Sequence, residues 1–536
     1  MIDRVRDQRG DTSRARASRL PARIEAGRLP ARSIASFVLT AACTVVLLSS
    51  AARTTAAPTT AASLSADSTF TRESVTLRSA KGVTIMAEAG RLLVPEHRSN
   101  PDSRRIPVGY LRLRSSARAP RAPLFFLAGG PGQRAVSLEA QGLDFWTPFL
   151  AVSDVVLIDQ RGVADPALRY AWDGPPPLRY FLSADSAGRH EAEMVRRAAT
   201  AFRARGIDIA GYTTAENATD LDALRDALGM TRVSLLGFSY GTHLAFAYLR
   251  RFGEHVESAV LIGNEGPDDS LKPPAAMDTA FVRLARAAAA DAGIARQVPD
   301  LAALYDRVIT RLEREPMRVT LPSPGGGDSL HVPIGPFGLR FIMRADIGDA
   351  SDLPVFPRLL RSIDQGDPSV LAWFVRKRAG AALGVHGMNL AVDEASGTSP
   401  ARRALVAEQS RTSRFSDVIN FPAPWSDGLI GVPDLGDEFR APLHSSVRTL
   451  FVSGALDFQT PPEQTDRIAR GFANATHLVV ANAGHEQTFW QNDTAVPVIV
   501  DFLRGDDVSQ RRITYPPLRF VPLAGRGGAK HPAAGD

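Results

Sequence analysis

The fold is decided by residues 233–253, which read VSLLGFSYGTHLAFAYLRRFG. The run VSLL (233–236) is typical of a buried strand, and THLAFAYLRRFG (242–253) is typical of a helix. Between them, GFSYG (237–241) predicts a sharp strand-to-helix turn that holds the Ser239 hydroxyl above a sheet. Both glycines are needed because a side chain there would collide with the adjoining strand or helix. We therefore expect Ser239 to act as a nucleophile.

Further apolar runs predict a mostly parallel central sheet flanked by helices, which is an α/β fold. Short apolar stretches bounded by glycine and separated by helical segments are typical of parallel strands covered on both faces. These runs are PLFFLAG (123–129), DVVLIDQ (154–160), SAVLIGN (258–264), VRTLFVSG (447–454) and THLVVANA (476–483). Three earlier segments alternate apolar and polar residues, as half-buried antiparallel strands do: 74–79, 83–95 and 106–115. A last helix is expected at 495–504.

Two late loops carry the partners that a serine nucleophile needs. The hydroxyl requires a base to take its proton, and the base requires an acid to fix its tautomer. In folds built around this turn, the acid and the histidine follow the serine in the chain. The strand at 447–454 leads into Asp457, and the strand at 476–483 opens into His485. We expect Asp457 to be the acid and His485 to be the base.

Few other residues compete for these two roles. Asp466 follows Asp457 in a predicted helix and is expected to be solvated. His477 begins a strand and is expected at a sheet edge, and His531 lies in a Pro/Gly-rich tail.

Two backbone N–H groups are expected to stabilise the negative charge that forms when Ser239 attacks a carbonyl. One is the amide of Tyr240, the residue after the nucleophile. The other is predicted in the loop FFLAGGPG (125–132), where glycines let the backbone approach a substrate closely. We assign this second donor to Gly130.

A polar segment, DQRG (159–162), follows the strand at 154–160. Its position places it at the same edge of the sheet as the nucleophile. We expect Asp159 and Arg161 to pair with each other and to brace the oxyanion loop, which is a structural role.

Together these segments resemble the proline iminopeptidase and tripeptidyl aminopeptidase branch of the α/β-hydrolases. The resemblance covers about residues 85–265 and 445–505, and its motifs are GGPG (129–132), DQRG (159–162), residues 220–253, and the GALD and AGH loops. It implies the α/β-hydrolase fold, a helical cap that restricts access, and release of N-terminal residues from peptides. It also implies a triad of Ser239, Asp457 and His485, with the GGPG loop and Tyr240 forming the oxyanion hole.

An aminopeptidase must also hold the α-ammonium group of its substrate, which calls for carboxylates near the mouth of the site. Glu265, Asp268 and Asp269 follow the strand at 258–264 and are candidates by position, with Glu265 as our assignment. The segment MRADIGDASD adds three more candidates, Asp346, Asp349 and Asp352. The alternative for each is a solvated acidic loop.

The chain divides into six predicted parts. These are a leader (1–57), a linker (58–72), a first part of the core (73–266), a helical cap inserted in the core (267–440), a second part of the core (441–510) and a tail (511–536). The cap region is rich in Arg and Ala and is interrupted by Pro and Gly at 322–327 and 333–338.

The leader predicts export to the periplasm, the cell envelope or the exterior. Arg-rich residues 1–32 precede the apolar run 34–52 and a stretch of small residues, the order found in signal peptides. An uncleaved membrane helix is the alternative, since about 20 apolar residues can span a bilayer. The sole cysteine, Cys43, lies in this run, so cleavage would leave a mature chain with none.

Charge and motifs exclude several classes of function. Residues 1–53 carry ten arginines and four acidic residues, so they account for the whole net charge of +6 and bulk charge does not predict nucleic-acid binding. We expect no metal and no cofactor. The sequence predicts an aminopeptidase acting on peptides, with an esterase or amidase for small acyl substrates as the alternative and a silent binding protein as a third. It does not predict the oligomeric state.

Overall fold

The computed structural model describes residues 69–136, 139–323, 329–346, 352–490 and 492–523. Within them, nine strands form one sheet in the order β1-β2-β3-β5-β4-β7-β8-β12-β13. The strands are β1 (Phe70–Arg78), β2 (Thr84–Pro95), β3 (Arg105–Leu113), β4 (Leu124–Leu127), β5 (Val155–Ile158), β6 (Arg169–Ala171), β7 (Val233–Phe238), β8 (Val256–Ile262), β9 (Met317–Leu321), β10 (Leu330–Ile334), β11 (Gly384–His386), β12 (Arg448–Gly454) and β13 (Ala475–Val480).

The sheet is antiparallel at one side and parallel through its centre. Three neighbouring pairs are antiparallel: β1–β2, β2–β3 and β3–β5. From β5 onward every neighbouring pair is parallel, in the order β5, β4, β7, β8, β12 and β13. Strand β7 therefore lies in the middle, between β4 and β8. Because parallel strands end at a common edge, the loops after β4, β5, β7, β8, β12 and β13 meet there.

Helices cover both faces of this sheet and fill the long connection between β8 and β12. They are α1 (Glu139–Leu150), α2 (Ala184–Ala204), α3 (Thr214–Ala227), α4 (Tyr240–Phe252), α5 (Ala275–Ala290), α6 (Ala292–Ala295), α7 (Leu301–Arg314), α8 (Pro336–Asp346), α9 (Phe356–Asp364), α10 (Ser369–Arg378), α11 (Gly387–Ser396), α12 (Pro400–Ser410), α13 (Ala423–Ser426), α14 (Gly436–Arg440), α15 (Pro462–Ala469) and α16 (Ala495–Arg504). None of the helices in the described ranges is both long and apolar enough to cross a membrane.

The alternation along β4 explains the two helix layers. Leu124 and Phe126 point into a core that includes residues of α1 and α16, whereas Phe125 and Leu127 point into a core that includes residues of α2, α3 and α4. Successive residues of a strand face opposite sides, so an unbroken apolar run serves both cores at once. This is the reason that the sequence shows continuous rather than alternating apolar strands at the centre.

Most residues of a third hydrophobic core lie in the connection between β8 and β12, with Tyr180, Phe181 and Phe458 joining from outside it. Residues 267–440, which the sequence predicts to be helical, include helices α5–α14 and also the antiparallel hairpin β9–β10. Buried Val319 and Leu321 in β9, and Val332 and Ile334 in β10, recur every second residue, the period of a strand. A third segment, β11, pairs with β6 outside the region.

The first strand of the sheet begins a few residues before residue 73, the predicted start of the core. Strand β1 begins at Phe70, inside the segment 58–72 predicted to be a linker, because it pairs along its length with β2. The predicted leader with Cys43, the linker up to residue 68, Asp349, and the end of the tail with His531 lie outside the described residues.

The expected pairing of Asp159 with Arg161 is contradicted. Arg161 is completely buried, and its guanidinium donates to both carboxylate oxygens of Asp220 in α3, at 2.8 and 2.7 Å. Asp159 instead accepts from Arg134 Nη2 at 3.1 Å and from the N–H of Val136 at 3.0 Å. Each charge has a closer partner from another element, so Arg161 fastens α3 under the sheet and Asp159 fastens the loop after β4.

We predict that Arg161→Met lowers the free energy of unfolding by about 3 kcal/mol, because buried Asp220 loses its bidentate partner and keeps only its ion pair with Arg98, and two backbone carbonyls lose a charged donor. Urea denaturation measures this change. Arg196→Met is the matched control, since the ion pair of Arg196 with Glu193 is exposed on both sides and such pairs contribute about 0–1 kcal/mol. Equal effects of the two substitutions would contradict a structural role for Arg161.

Candidate active site

Ser239 occupies a strained turn between β7 and α4. Its backbone has φ 56° and ψ −125°, a conformation that costs a residue with a side chain about 1–3 kcal/mol. Two hydrogen bonds hold it: the Ser239 N–H donates to the Ile262 carbonyl at 2.9 Å, and the Thr242 hydroxyl donates to the Ser239 carbonyl at 2.7 Å. The turn is thus anchored to the neighbouring strand β8 and to its own helix.

The two glycines around Ser239 are required by close approach, as expected from the motif. A Cβ atom at Gly241 would lie 1.9 Å from the carbonyl oxygen of Leu127 in β4. A Cβ atom at Gly237 would lie 2.7 Å from the carbonyl oxygen of Gly241. Any side chain at either position would push the helix away from the sheet and move the Ser239 hydroxyl.

The structure brings Ser239, His485 and Asp457 together from three separate loops. His485 Nε2 lies 2.9 Å from Ser239 Oγ, and His485 Nδ1 lies 2.8 Å from Asp457 Oδ2. Asp457 and His485 are 1% and 3% exposed, so water hardly competes for these contacts. In this arrangement His485 can take the Ser239 proton while Asp457 fixes the imidazole tautomer.

Asp457 is held by its own loop as well as by the histidine. The Thr460 hydroxyl donates to Asp457 Oδ2 at 2.6 Å, and the N–H groups of Gln459 and Thr460 donate to Oδ1 at 2.8 and 3.1 Å. Burial alone would raise the pKa of Asp457, but the charge of His485 and these hydrogen bonds outweigh it and lower the pKa. Asp457 therefore remains charged and faces the imidazole in one orientation.

His485 shows the opposite balance. Burial favours its neutral form, but the carboxylate of Asp457 and, more weakly, that of Glu486 raise the pKa above its ordinary value. The same field stabilises the imidazolium that forms when the histidine accepts a proton. The ring of Phe238 lies 5.2 Å away and closes one side of the imidazole.

Asp466 and His477, the alternatives considered for the acid and the base, contact each other and not Ser239. Asp466 is 61% exposed and accepts from His477 Nδ1 at 2.8 Å, while His477 Nε2 lies 2.9 Å from Ser453 Oγ. Since Ser453 is a buried residue of β12 and not on a strained turn, this trio fastens the edge strand β13 to α15.

The two expected oxyanion donors lie beside the nucleophile. Neither the Gly130 amide nor the Tyr240 amide donates a hydrogen bond within the described part of the chain. Gly130 lines the same cavity as Ser239, and a Cβ atom on the preceding Gly129 would lie 3.1 Å from the Ser239 Cβ. Both amides therefore remain candidates for the oxyanion hole, and the glycines of the loop permit its close approach to Ser239.

Gln160, which lies between Asp159 and Arg161 in the chain, braces the oxyanion loop in addition to Asp159. Its side chain donates from Nε2 to the Ala128 carbonyl at 2.8 Å and accepts from the Gly132 N–H at 3.1 Å. It is 5% exposed, so these bonds are made away from solvent. An amide can donate and accept at once, which a carboxylate or a guanidinium cannot do. The glutamine of DQRG is therefore the feature of the sequence from which this role could have been predicted.

The side chain of Tyr240 is tied to the inserted region. Its hydroxyl lies 3.1 Å from Thr214 Oγ1, which lies 3.3 Å from Ser396 Oγ in α11. Ser396 also lies 3.1 Å from His243 Nε2, and His243 Nδ1 lies 3.0 Å from the Gly266 carbonyl. A chain of buried polar groups thus fixes the start of α4 against α11 and against the loop after β8.

A cavity of about 550 Å³ opens from Ser239 into the inserted region. This is within the usual range for small-molecule sites, about 300–1,000 Å³. Its lining includes Gly130 and Ser239 from the core, Glu265 and Lys272 from the loop after β8, and Asp393 from α11. A substrate bound at Ser239 therefore also meets charged groups.

Of the predicted ammonium-binding carboxylates in the described residues, Glu265 is the one that lines this cavity. It accepts from Lys272 Nζ at 2.6 Å, so its charge is already balanced. The others hold structure: Asp268 caps α12 through Ser399, Asp269 binds Arg402 and Arg467, Asp346 binds Lys377 and Arg378, and Asp352 binds Lys377.

Asp393 is the cavity carboxylate that sequence reasoning missed. Its side chain is exposed to the cavity, and no described residue gives it a hydrogen bond or an ion pair. The four other cavity carboxylates all have partners: Glu265, Glu394, Asp417 and Asp427. Desolvation inside the cavity, together with the nearby charge of Glu265, raises the pKa of Asp393 to about 7.

We predict that Asp457→Asn lowers kcat by roughly ten-thousand-fold, because the amide no longer fixes the tautomer in which His485 accepts a proton. Steady-state kinetics on any chromogenic substrate measures this loss. Asp466→Asn is the matched control, and it should leave kcat within about twofold. Ser239→Ala should abolish turnover with the fold intact, and combining it with Asp457→Asn should add nothing further. Equal loss from Asp457→Asn and Asp466→Asn would refute the choice of acid.

Two family models match the chain, one at each end of the inserted region and each extending into it. The model described as alpha/beta hydrolase fold matches residues 122–291, and the model described as TAP-like protein matches residues 432–512. The first match contains Ser239 and the oxyanion loop, and the second contains Asp457 and His485.

Among curated proteins, the chain is 28% identical over 185 residues to a tripeptidyl aminopeptidase of Streptomyces lividans, covering 32% of this chain and 34% of that protein. It is 30% identical over 193 residues to serine protease Hip1 of Mycobacterium tuberculosis, covering 34% of this chain and 36% of that protein. The aligned stretch thus spans about a third of each relative.

Among solved structures, a proline iminopeptidase-related protein of Thermus thermophilus matches at 17% identity and a TM-score of 0.31, over 78% of this chain and 96% of that one. At this TM-score the match adds no argument. By its sheet, its strand-to-helix turn and its family match, the chain has the α/β-hydrolase fold, and its sequence is similar to that of the tripeptidyl aminopeptidases.

Proposed function

We propose that this protein is an exported serine aminopeptidase that releases N-terminal residues from peptides through an acyl-enzyme on Ser239. The names of its relatives, a tripeptidyl aminopeptidase and a serine protease, support a peptidase. Export is supported by the Arg-rich leader and its apolar run.

In the proposed mechanism, His485 takes the proton of Ser239 as Oγ attacks the carbonyl carbon of the scissile peptide bond. The N–H groups of Gly130 and Tyr240 receive the oxyanion, which is worth roughly 3–4 kcal/mol of transition-state stabilisation per donor. His485 then returns the proton to the leaving amine, and the peptide shortened at its N-terminus departs. Water, activated by His485, hydrolyses the acyl-enzyme and frees the released segment.

The observation that carries the peptidase assignment is the unpaired carboxylate of Asp393 in the cavity of Ser239. A substrate ammonium enclosed in a cavity must be paired, because an uncompensated buried charge costs several kcal/mol. Asp393 has a free carboxylate for this purpose, whereas Glu265 shares its charge with Lys272. We therefore propose Asp393 as the main partner of the α-ammonium, with Glu265 as a weaker one.

We predict that N-acetylation of a good peptide substrate lowers kcat/KM by roughly a hundred-fold or more, because acetylation removes the charge that Asp393 pairs. Asp393→Asn should strongly reduce the ratio of kcat/KM for the free peptide to kcat/KM for the acetylated peptide. Glu265→Gln should reduce this ratio less. The matched control is Asp427→Asn, which changes a cavity carboxylate that is bound to Arg403 and should leave the ratio unchanged.

Two results would shift the assignment to an esterase or amidase that uses the same triad. The first is equal cleavage of free and acetylated peptides. The second is faster turnover of short-chain esters than of any peptide in the panel. In both cases fluorophosphonate labelling of Ser239 would still report an active triad, so the two functions are separable.

The pKa of Asp393 predicts a bell-shaped pH dependence of kcat/KM for peptides with a free N-terminus. Activity should rise through about pH 7, as Asp393 ionises, and His485, whose pKa lies above its ordinary value, adds to the rising limb as it becomes neutral. It should fall above about pH 8, because the α-ammonium then loses its proton. A neutral ester should show the rising limb without this fall. A peptide profile that stays flat above pH 8 would count against ammonium recognition.

A further inference from the structure

A second unpaired charge lines the cavity of Ser239, and it is positive. Arg344, in the last turn of α8, contributes to the lining and is half-buried. Within the described part of the chain its guanidinium donates no hydrogen bond, and no carboxylate oxygen lies within 4.0 Å of it. Among the described residues, the guanidinium at the cavity wall therefore has no partner.

The other cations of the lining do not share this property. Lys272 Nζ lies 2.6 Å from Glu265 Oε2, and Arg403 Nη1 lies 3.2 Å from Asp427 Oδ2. Outside the lining, the neighbouring Arg378 binds Asp346. Arg344 is thus the unsatisfied cation of a cavity in which every other positive side chain in the described residues is paired.

Enclosure makes this arrangement costly for the empty enzyme. Burial lowers the pKa of Arg344, and the charge of Arg378 lowers it further. A planar guanidinium offers a fork of N–H donors that matches a carboxylate in a bidentate way. A ligand carboxylate would satisfy both the charge and the donors.

Arg344 and Asp393 act on each other electrostatically, since each affects the pKa of the other. They are nevertheless not in ion-pair contact. The space between an unpaired cation and an unpaired anion suits a molecule that carries both charges close together. An N-terminal residue with an acidic side chain has this property, because its α-ammonium and its carboxylate are a few bonds apart.

We propose that Arg344 binds the carboxylate of an acidic side chain at the N-terminus of the substrate, so that the enzyme prefers peptides beginning with Asp or Glu. This rests on the proposed aminopeptidase function, in which Asp393 holds the adjacent α-ammonium. Arg344 is then a specificity-determining residue that discriminates substrates and takes no part in bond breaking.

The test uses matched pairs of peptide p-nitroanilides with Glu or Gln at the N-terminus and the same residues after it. The wild-type enzyme should favour the Glu member in kcat/KM by about tenfold to a hundredfold, the range of a charged hydrogen-bond pair. In Arg344→Gln this ratio should fall to within about twofold, with the loss on the acidic member. Arg344→Lys should retain part of the ratio, since it keeps the charge and loses the fork.

Arg403→Gln is the control, because it also removes a cation of the lining, but one that already has a partner; its Glu/Gln ratio should match that of the wild type. Each preparation is normalised by fluorophosphonate labelling of Ser239, so that misfolded protein does not enter the comparison. If Arg344→Gln does not fold, Arg344→Lys alone decides the question.

Three results would overturn the inference. Equal kcat/KM for the Glu and Gln members in the wild type is one, and an equal loss on both members in Arg344→Gln is another. The third is a preference for free peptides with a C-terminal carboxylate over their amides, with no Glu preference, which would give Arg344 a different carboxylate. Failure of the aminopeptidase function looks different, because no p-nitroanilide with a free N-terminus would then be cleaved while esters are.

Discussion

The hydrogen bond from the Ser239 N–H to the Ile262 carbonyl is the constraint on which the rest of the site depends. It joins the end of β7 to the neighbouring strand β8 and keeps Ser239 in a backbone conformation that an isolated chain would avoid. With Gly241 pressed against the Leu127 carbonyl of β4, the turn is fixed from both neighbouring strands. The hydroxyl therefore has one position, and every other group must be placed relative to it.

The parallel register supplies the other placements. Strands β8, β12 and β13 pair side by side, so the loops that carry Asp457 and His485 emerge at the same edge as Ser239. The Thr460 hydroxyl and two backbone N–H groups fix the orientation of Asp457. These bonds orient Asp457 independently of the histidine. His485 is positioned by its contacts with Asp457 and Ser239.

These features explain what the sequence predicts well. A buried strand, the turn that follows it and the helix after the turn are all encoded locally, and residues 233–236, predicted as a strand, lie within β7. The loops of Asp457 and His485 follow strands in the same way. Once parallel strands are recognised, the meeting of their ends requires no knowledge of distant contacts.

The sequence does not predict which side chains form ion pairs when the partners are brought together only by the fold. Arg161 binds Asp220, which is 59 residues away, and neighbouring Asp159 offered a simpler pairing that the fold does not use. Glu265 was found by its position after a strand, but its pairing with Lys272 is visible only in the structure. Asp393 and Arg344 lie in the inserted region, where no motif marks them and where only the cavity brings them near Ser239.

Asp393 also links substrate binding to protonation. Because its pKa is raised to about 7, its carboxyl group changes protonation state near neutral pH. Under the proposed function an arriving ammonium stabilises the carboxylate and expels its proton, so binding grows stronger as pH rises until the ammonium itself titrates. An unpaired Arg344 in the same cavity acts in the same direction, because its charge lowers the pKa of Asp393. A substrate carboxylate that neutralised Arg344 would reduce this lowering of the Asp393 pKa. The substrate ammonium paired with Asp393 would lower the pKa again. Each charge of the substrate would therefore compensate for the effect of the other, which is a physical reason for the two unpaired groups to share one cavity.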